Sequence, residues 1–122
     1  MKSTTGMYLG TEVSDKWWRR STSAGLLARG NGRLWTDEHG IWFHRHLTSD
    51  PIVIPWPLVE NVEVGKWHSG RWAWGLPLIK VIWRRDGERL SSGFLAASTR
   101  ARGLAILDTL RQEHARSAKA ET

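Results

Sequence analysis

The stretch LIKVIWRRDGERLSSGFL, residues 78 to 95, constrains the fold more than any other. Asp86-Gly87 supplies the two positive-φ positions of a type I′ turn, whose twist matches that of the strands it joins. With that turn in place, Arg85 pairs with Glu88, Arg84 with Arg89, Trp83 with Leu90, Val81 with Ser92 and Ile79 with Phe94. Side chains alternate across a strand, so Ile79, Val81, Trp83, Leu90 and Phe94 share one face, the expected core. Lys80, Ile82, Arg84, Arg89 and Ser91 fall on the other.

A second hairpin is expected in GRLWTDEHGIWFHRHL, with Asp37–Gly40 as its loop. One register turns Leu34, Thr36, Ile41 and Phe43 inward and Arg33, Trp35, Trp42, His44 and His46 outward. A four-residue loop fixes register less firmly than Asp-Gly, and a one-residue slip inverts the faces. PIVIPWPLVENVEVGKW reads as two short strands, about 51–55 and 60–67, with prolines that suit an edge strand or a bend. Past Phe94 the period changes. Ala101, Leu104, Leu107 and Leu110 recur at helical spacing, with Ser98 or Thr99 as N-cap, and Gly103 weakens the helix slightly. Residues 1–16 read as a poorly patterned lead-in, 17–116 as a single domain and 117–122 as a polar tail. The expected class is mainly β with one C-terminal helix, an α+β arrangement in which an antiparallel barrel or sandwich is capped by the helix.

GRLWTDEHGIWF, then IVIPWPLVENVEVG, then PLIKVIWRRDGERLSSGF and a terminal helix resemble the pleckstrin-homology-like superfamily, nearest its GRAM and bacterial PH-like branches. The runs YLGTEVSDKWWRR, ARGNG, GKWHSGRW and SSGF look like a prokaryotic family within it. The resemblance covers roughly residues 26 to 114. It implies a PH-like barrel and a lipid, peptide or scaffold role, because this fold hosts all three. Lipid-binding PH domains resemble one another in a basic cluster around the loop of the first hairpin. If Asp37, Glu38 and His39 form that loop here, two carboxylates occupy it, which departs from the pattern.

Composition narrows the function. The 122 residues contain no cysteine, which excludes disulfides, thiolate metal sites and a thiol nucleophile. MKSTTGMYLGTEVSD has no apolar run of the kind that opens a secretory signal, and no uncharged apolar stretch approaches ~20 residues. A cytoplasmic protein is expected. Eighteen Lys and Arg against twelve Asp and Glu give a formal charge of +6, which favours anionic partners. Nine tryptophans are more than one core of this size hides, and surface Trp concentrates at interfaces.

GKWHSGRWAWG, residues 65 to 75, holds Trp67, Trp72 and Trp74 among Lys66, His68 and Arg71. Ser69-Gly70 is the expected turn, and Gly75 and Pro77 suggest a bulge. The indoles either plug the barrel end or form a contact surface with a polar rim. As anchors each is worth an upper bound of roughly 4–6 kcal/mol, from ~150–250 Å² at ~25 cal/mol/Å². Lys80, Arg84 and Arg89 form a second candidate, either solvated or holding an anion. His44 and His46, with His68 as a conceivable third ligand, make a weak metal signal, so no metal and no cofactor are expected. ARGNGR leads into a strand and reads as a turn, unlike a phosphate loop that opens a helix. No nucleophile elbow, Walker or kinase signature occurs.

The expectation is a non-enzymatic binding module with no catalytic residues. Its basic, Trp-rich rim (Lys66, Trp67, His68, Arg71, Trp72, Trp74, Lys80, Arg84, Arg89) would engage a protein partner, a second copy or an anionic membrane surface. The alternative, ranked behind these, is single-stranded nucleic acid, bound in a basic groove with exposed aromatics.

Overall fold

The computed structural model describes residues 1–13, 16–20, 30–46, 50–65, 67–68, 71–72 and 75–120, with 16–20, 67, 71, 72 and 120 described by their backbone. Strand β1 is Thr4–Val13, β2 Lys16–Arg20, β3 Gly30–Thr36, β4 Gly40–Arg45 and β5 Ile52–Pro55. A 3-10 turn, Trp56–Leu58, leads to β6 Val59–Gly65; then come β7 Trp67–His68, β8 Arg71–Trp72, β9 Leu78–Arg85, β10 Glu88–Leu95 and helix α1 Arg100–Ala120.

The Asp-Gly hairpin is β9–β10, and its register is the one the turn dictates, from Arg85 opposite Glu88 to Ile79 opposite Phe94. Asp86 and Gly87 sit at φ 53° and 81°. The second hairpin, β3–β4, pairs Leu34 with Phe43, Trp35 with Trp42 and Thr36 with Ile41, so its faces also fall as expected. Asp37 Oδ1 accepts from the amides of His39 and Gly40 at 2.8 and 3.2 Å, and this Asx turn supplies the register that loop length alone leaves loose.

Seven antiparallel strands run in the order β5-β4-β3-β1-β10-β9-β6, with β2 paired to β1 off that path. The edge strands β5 and β6 are consecutive in the chain and separated only by Trp56–Leu58. Four Cα steps reach about 14 Å at most, so the sheet has to curl until its two edges approach. It does not close. Helix α1 lies across the gap, seating Ile106, Leu107 and Leu110 in a core with Tyr8, Leu34, Phe43, Ile54, Val81, Trp83 and Phe94. Arg111 Nε donates to Val62 O at 2.8 Å and His114 Nε2 lies 2.9 Å from Val59 O, covering carbonyls of the β6 edge. The result is an open, sandwich-like PH fold.

Four features depart from the sequence reading. Residues 4–13 are no lead-in but the central strand, paired with β10 on one side and β3 on the other. Their period is broken at a bulge where Gly10 adopts φ 100°, so Tyr8 and Thr11, three apart, both face the core. Burial pushes the Tyr8 hydroxyl up to about 12, and its oxygen bonds Thr11 Oγ1 at 2.5 Å. The helical stripe is turned from the one expected: Ala101 and Leu104 are exposed, whereas Gly103, Ile106, Leu107 and Leu110 are buried. Gly103 is there for close approach, since a Cβ would meet Pro77 Cγ at 3.1 Å. Thr99 is the cap, its Oγ1 accepting from Arg102 N at 3.3 Å. The helix also continues through 117–120, where a tail was expected. Finally, Ile82 and Ser91 are buried although they face away from the core, because a second layer covers that side of β9 and β10.

Candidate functional site

The second layer begins at the bulge in β1. A bulge turns a backbone carbonyl out of the ladder, and here Gly10 O is taken by His68 Nε2 at 2.8 Å. His68 Nδ1 lies 3.4 Å from Glu12 Oε1, with both side chains buried. The imidazole rests on Gly93, where a Cβ would stand 2.3 Å from its Cδ2. A residue with any side chain at position 93 would hold the ring off the sheet. His68 thereby fixes the small ribbon β7–β8, in which Trp67 pairs with Trp72 and His68 with Arg71, over the outer face. Beside it Leu9 and Leu78 form a minor apolar cluster with Met7 and Leu95.

The same end of β1 holds β2. Glu12 pairs with Arg20 and Val13 with Lys16, so KWWRR runs alongside the stretch that His68 grips. Two basic, Trp-bearing elements about fifty residues apart in sequence, β2 and the β7–β8 ribbon, thus meet Gly10–Val13, the first by strand pairing and the second through His68. Trp17, Trp18, Lys16, Arg19 and Arg20 were absent from the sequence-derived site. Their composition, two indoles flanked by cations, repeats that of GKWHSGRW and was the available signal.

The expected site residues fare differently. Lys66 and Trp74 lie outside the described residues, as do Ser69 and Gly70 of the expected turn. Trp67, Arg71 and Trp72 are placed by their backbone in β7 and β8. His68 is corrected from rim to interior: it is fully buried, because Gly93 leaves room for its ring and Gly10 O offers an acceptor. Lys80, Arg84 and Arg89 do not form one cluster. Lys80 stands opposite Glu63, about 13 Å along the strand from Arg84. Arg84 Nε pairs with Glu60 Oε1 at 3.0 Å, both partners exposed, an ion pair worth little. Arg89 faces Arg84 across the hairpin. His68 is engaged with Gly10 and Glu12, and among the described residues no group of three His, Cys, Asp or Glu is placed to hold a metal.

The acidic loop also changes meaning. The first antiparallel pair of consecutive strands is β1–β2, with Val13 opposite Lys16, while β3 returns to β1 with Tyr8 opposite Gly30 and Thr4 opposite Leu34. Asp37 and Glu38 belong to the β3–β4 hairpin. Lys16, Arg19 and Arg20 lie in β2, which pairs with β1 ahead of that acidic loop.

A cleft of about 420 Å³ opens at the other end of the helix, lined by Thr36, Asp37, Glu38, Trp56, Glu113, Arg116 and Ser117. Several of its polar groups are engaged within the protein: Thr36 Oγ1 hydrogen-bonds Glu113, and Trp56 Nε1 donates to Asp37 O at 2.8 Å.

Replacing Gly93 with Ala is expected to cost about 1–3 kcal/mol, as for overpacking, by lifting His68 off Gly10. Urea denaturation of a double-mutant cycle with His68→Ala checks it. The Gly93→Ala penalty should largely vanish once the ring is gone, and an undiminished penalty would mean that the two do not touch.

The fold agrees with what comparison with known proteins gives. No curated protein matches the chain. Residues 1–109 match the family described as bacterial PH domain-like, which takes in β1 to β10 and the first half of α1. The chain belongs to the bacterial PH domain-like family.

Proposed function

We propose that this chain is a non-enzymatic binding module that docks on an anionic membrane surface through two basic, Trp-rich segments, Lys16–Arg20 and Lys66–Trp74. PH-like domains are generally binding modules without catalytic activity. The observation that carries the reading is the convergence of both basic, Trp-rich segments on Gly10–Val13. Tryptophan favours the headgroup level of a bilayer, where an apolar ring and a polar N–H are both accommodated. Each Lys or Arg near an anionic surface adds about 1 kcal/mol, so Lys16, Arg19, Arg20, Lys66 and Arg71 together supply about 5 kcal/mol. No helix among the described residues is long and apolar enough to cross a membrane, and the proposed attachment is peripheral, on the cytoplasmic face.

Co-sedimentation with vesicles tests this. The protein should bind phosphatidylcholine vesicles containing phosphatidylglycerol and leave pure phosphatidylcholine in solution. Lys16→Glu/Arg19→Glu/Arg20→Glu should weaken binding at least about 100-fold, since three cations at about 1 kcal/mol each are lost. Equal binding to both vesicle types would contradict the proposal. So would failure to bind either, together with a concentration-dependent oligomer or capture of a protein partner.

A further inference from the structure

The outer face of β3 and β4 carries a separate aromatic surface. Trp35 and Trp42 are cross-strand partners whose rings lie parallel, 7° between planes and 6.0 Å between centroids. Both are partly exposed. Trp42 Nε1 donates to Asp37 Oδ1 at 2.9 Å, the oxygen that also takes the His39 and Gly40 amides. Desolvation raises the Asp37 carboxyl, but these three hydrogen bonds outweigh it and hold the group below the usual carboxylate range. The acceptor is therefore ionised at neutral pH, and the ring it orients is held before any ligand arrives.

The neighbours leave the indoles open. Val53 of β5 stands beside Trp42 and is itself exposed, and Thr5 of β1 stands beside Arg33. Val53 is too small to cover the Trp42 ring. Two positions along the strand from Trp35, about 6.6 Å, comes exposed Arg33, opposite His44. Pro51 and Pro55 bracket β5 and discourage another strand from extending the sheet, so the open feature is the face.

We propose that this face binds single-stranded nucleic acid, with bases stacked on Trp35 and Trp42 and Arg33 at a phosphate. Three observations select this occupant: planar rings held rigid, a cation about one nucleotide step along the strand, and a chain of net charge +6. Stacking is sequence-tolerant because every base has a π-face, so the expected preference is for single strands over a particular sequence.

Fluorescence anisotropy with a labelled twelve-nucleotide oligothymidylate tests it on the intact chain. Affinity should fall linearly on a log–log plot against salt. Arg33→Glu should weaken binding at least tenfold and reduce that slope by about 0.7, one single-strand phosphate contact. Trp42→Ala should weaken it about 5- to 150-fold, and Trp42→Phe, which keeps a stacking ring, much less. Circular dichroism shows whether Trp42→Ala is folded, and Arg33→Glu at an exposed position carries the test if it is not. Trp67→Ser and Trp72→Ser, aimed at the membrane-facing segments, should leave oligonucleotide affinity within about twofold. The inference is overturned if the wild type does not bind at low salt, or if Arg33→Glu and a folded Trp42→Ala bind as tightly as wild type. It is equally overturned if the Trp67 and Trp72 variants lose binding in parallel, or if a labelled proline-rich peptide binds this face and the oligonucleotide does not.

Discussion

Trp83→Ala is expected to lower the unfolding free energy by about 3–5 kcal/mol, the range for truncating a buried Trp. Trp83 is the largest fully buried side chain among the described residues, standing on the inner face of β9 opposite Leu90. Its Nε1 donates to Ser92 Oγ at 2.9 Å; Ser92 bonds Thr11 at 2.6 Å, and Thr11 bonds the Tyr8 hydroxyl. Truncation would therefore open a cavity and remove one end of a buried polar relay that ties β9 and β10 to the bulge in β1. Arg85, whose guanidinium stands 5.5 Å over the same ring, would lose its cation–π contact as well. Urea denaturation measures the loss. A Trp83→Phe variant keeps most of the volume and should cost much less. Equal losses for the two would show that the relay outweighs the packing.

Gly40→Val is expected to cost about 3 kcal/mol, at the upper end for overpacking, because what it strikes is backbone. A Cβ at position 40 would lie 2.2 Å from Ile54 O and 2.9 Å from Pro55 Cα. Relief requires β4 and β5 to separate. That would free Trp56, whose amide donates to His39 O at 3.1 Å and whose ring stacks on His114 of the helix. Gly87→Ala is the useful comparison, since nothing lies within 4 Å of a Cβ there and the cost is the left-handed backbone alone, about 1–2 kcal/mol. Thermal denaturation of both should place Gly40→Val well below Gly87→Ala. The reverse order would mean that the β4–β5 approach is looser than described.

Much of the fold was legible in the sequence, and the reasons are local. The β9–β10 register follows from two turn residues, and the β3–β4 faces from alternation, with Asp37 supplying the lock. Strand β1 was not legible because Gly10 interrupts its period, so TTGMYLGTEV alternates toward neither template. The helix was legible as a helix, but its buried stripe depends on Pro77 meeting Gly103, a contact between distant segments.

The candidate site was half legible. A cluster of Trp and cations in GKWHSGRWAWG marks itself, and its partner KWWRR carries the same composition. What joins them is not in either stretch. His68 reads as a rim residue between Lys66 and Arg71, yet its acceptor at Gly10 lies 58 residues away and its seat is an unremarkable glycine in β10. Burial of a polar side chain is set by the element that receives it, and Gly10 and Gly93 give no sign of that role on their own. On the basic face of β9–β10 the hidden part is the complement: Glu60, which engages Arg84, sits on β6, a strand whose register against β9 cannot be read from either.

Hydrogen–deuterium exchange of the intact chain with and without phosphatidylglycerol-containing vesicles tests the central claim most directly. If Lys16–Arg20 and Trp67–Trp72 form one docking surface pinned at Gly10–Val13, vesicles should slow exchange in both segments together, with the same lipid dependence, and leave Arg100–Ala120 unchanged. Protection confined to one segment, or appearing on the helix instead, would contradict it.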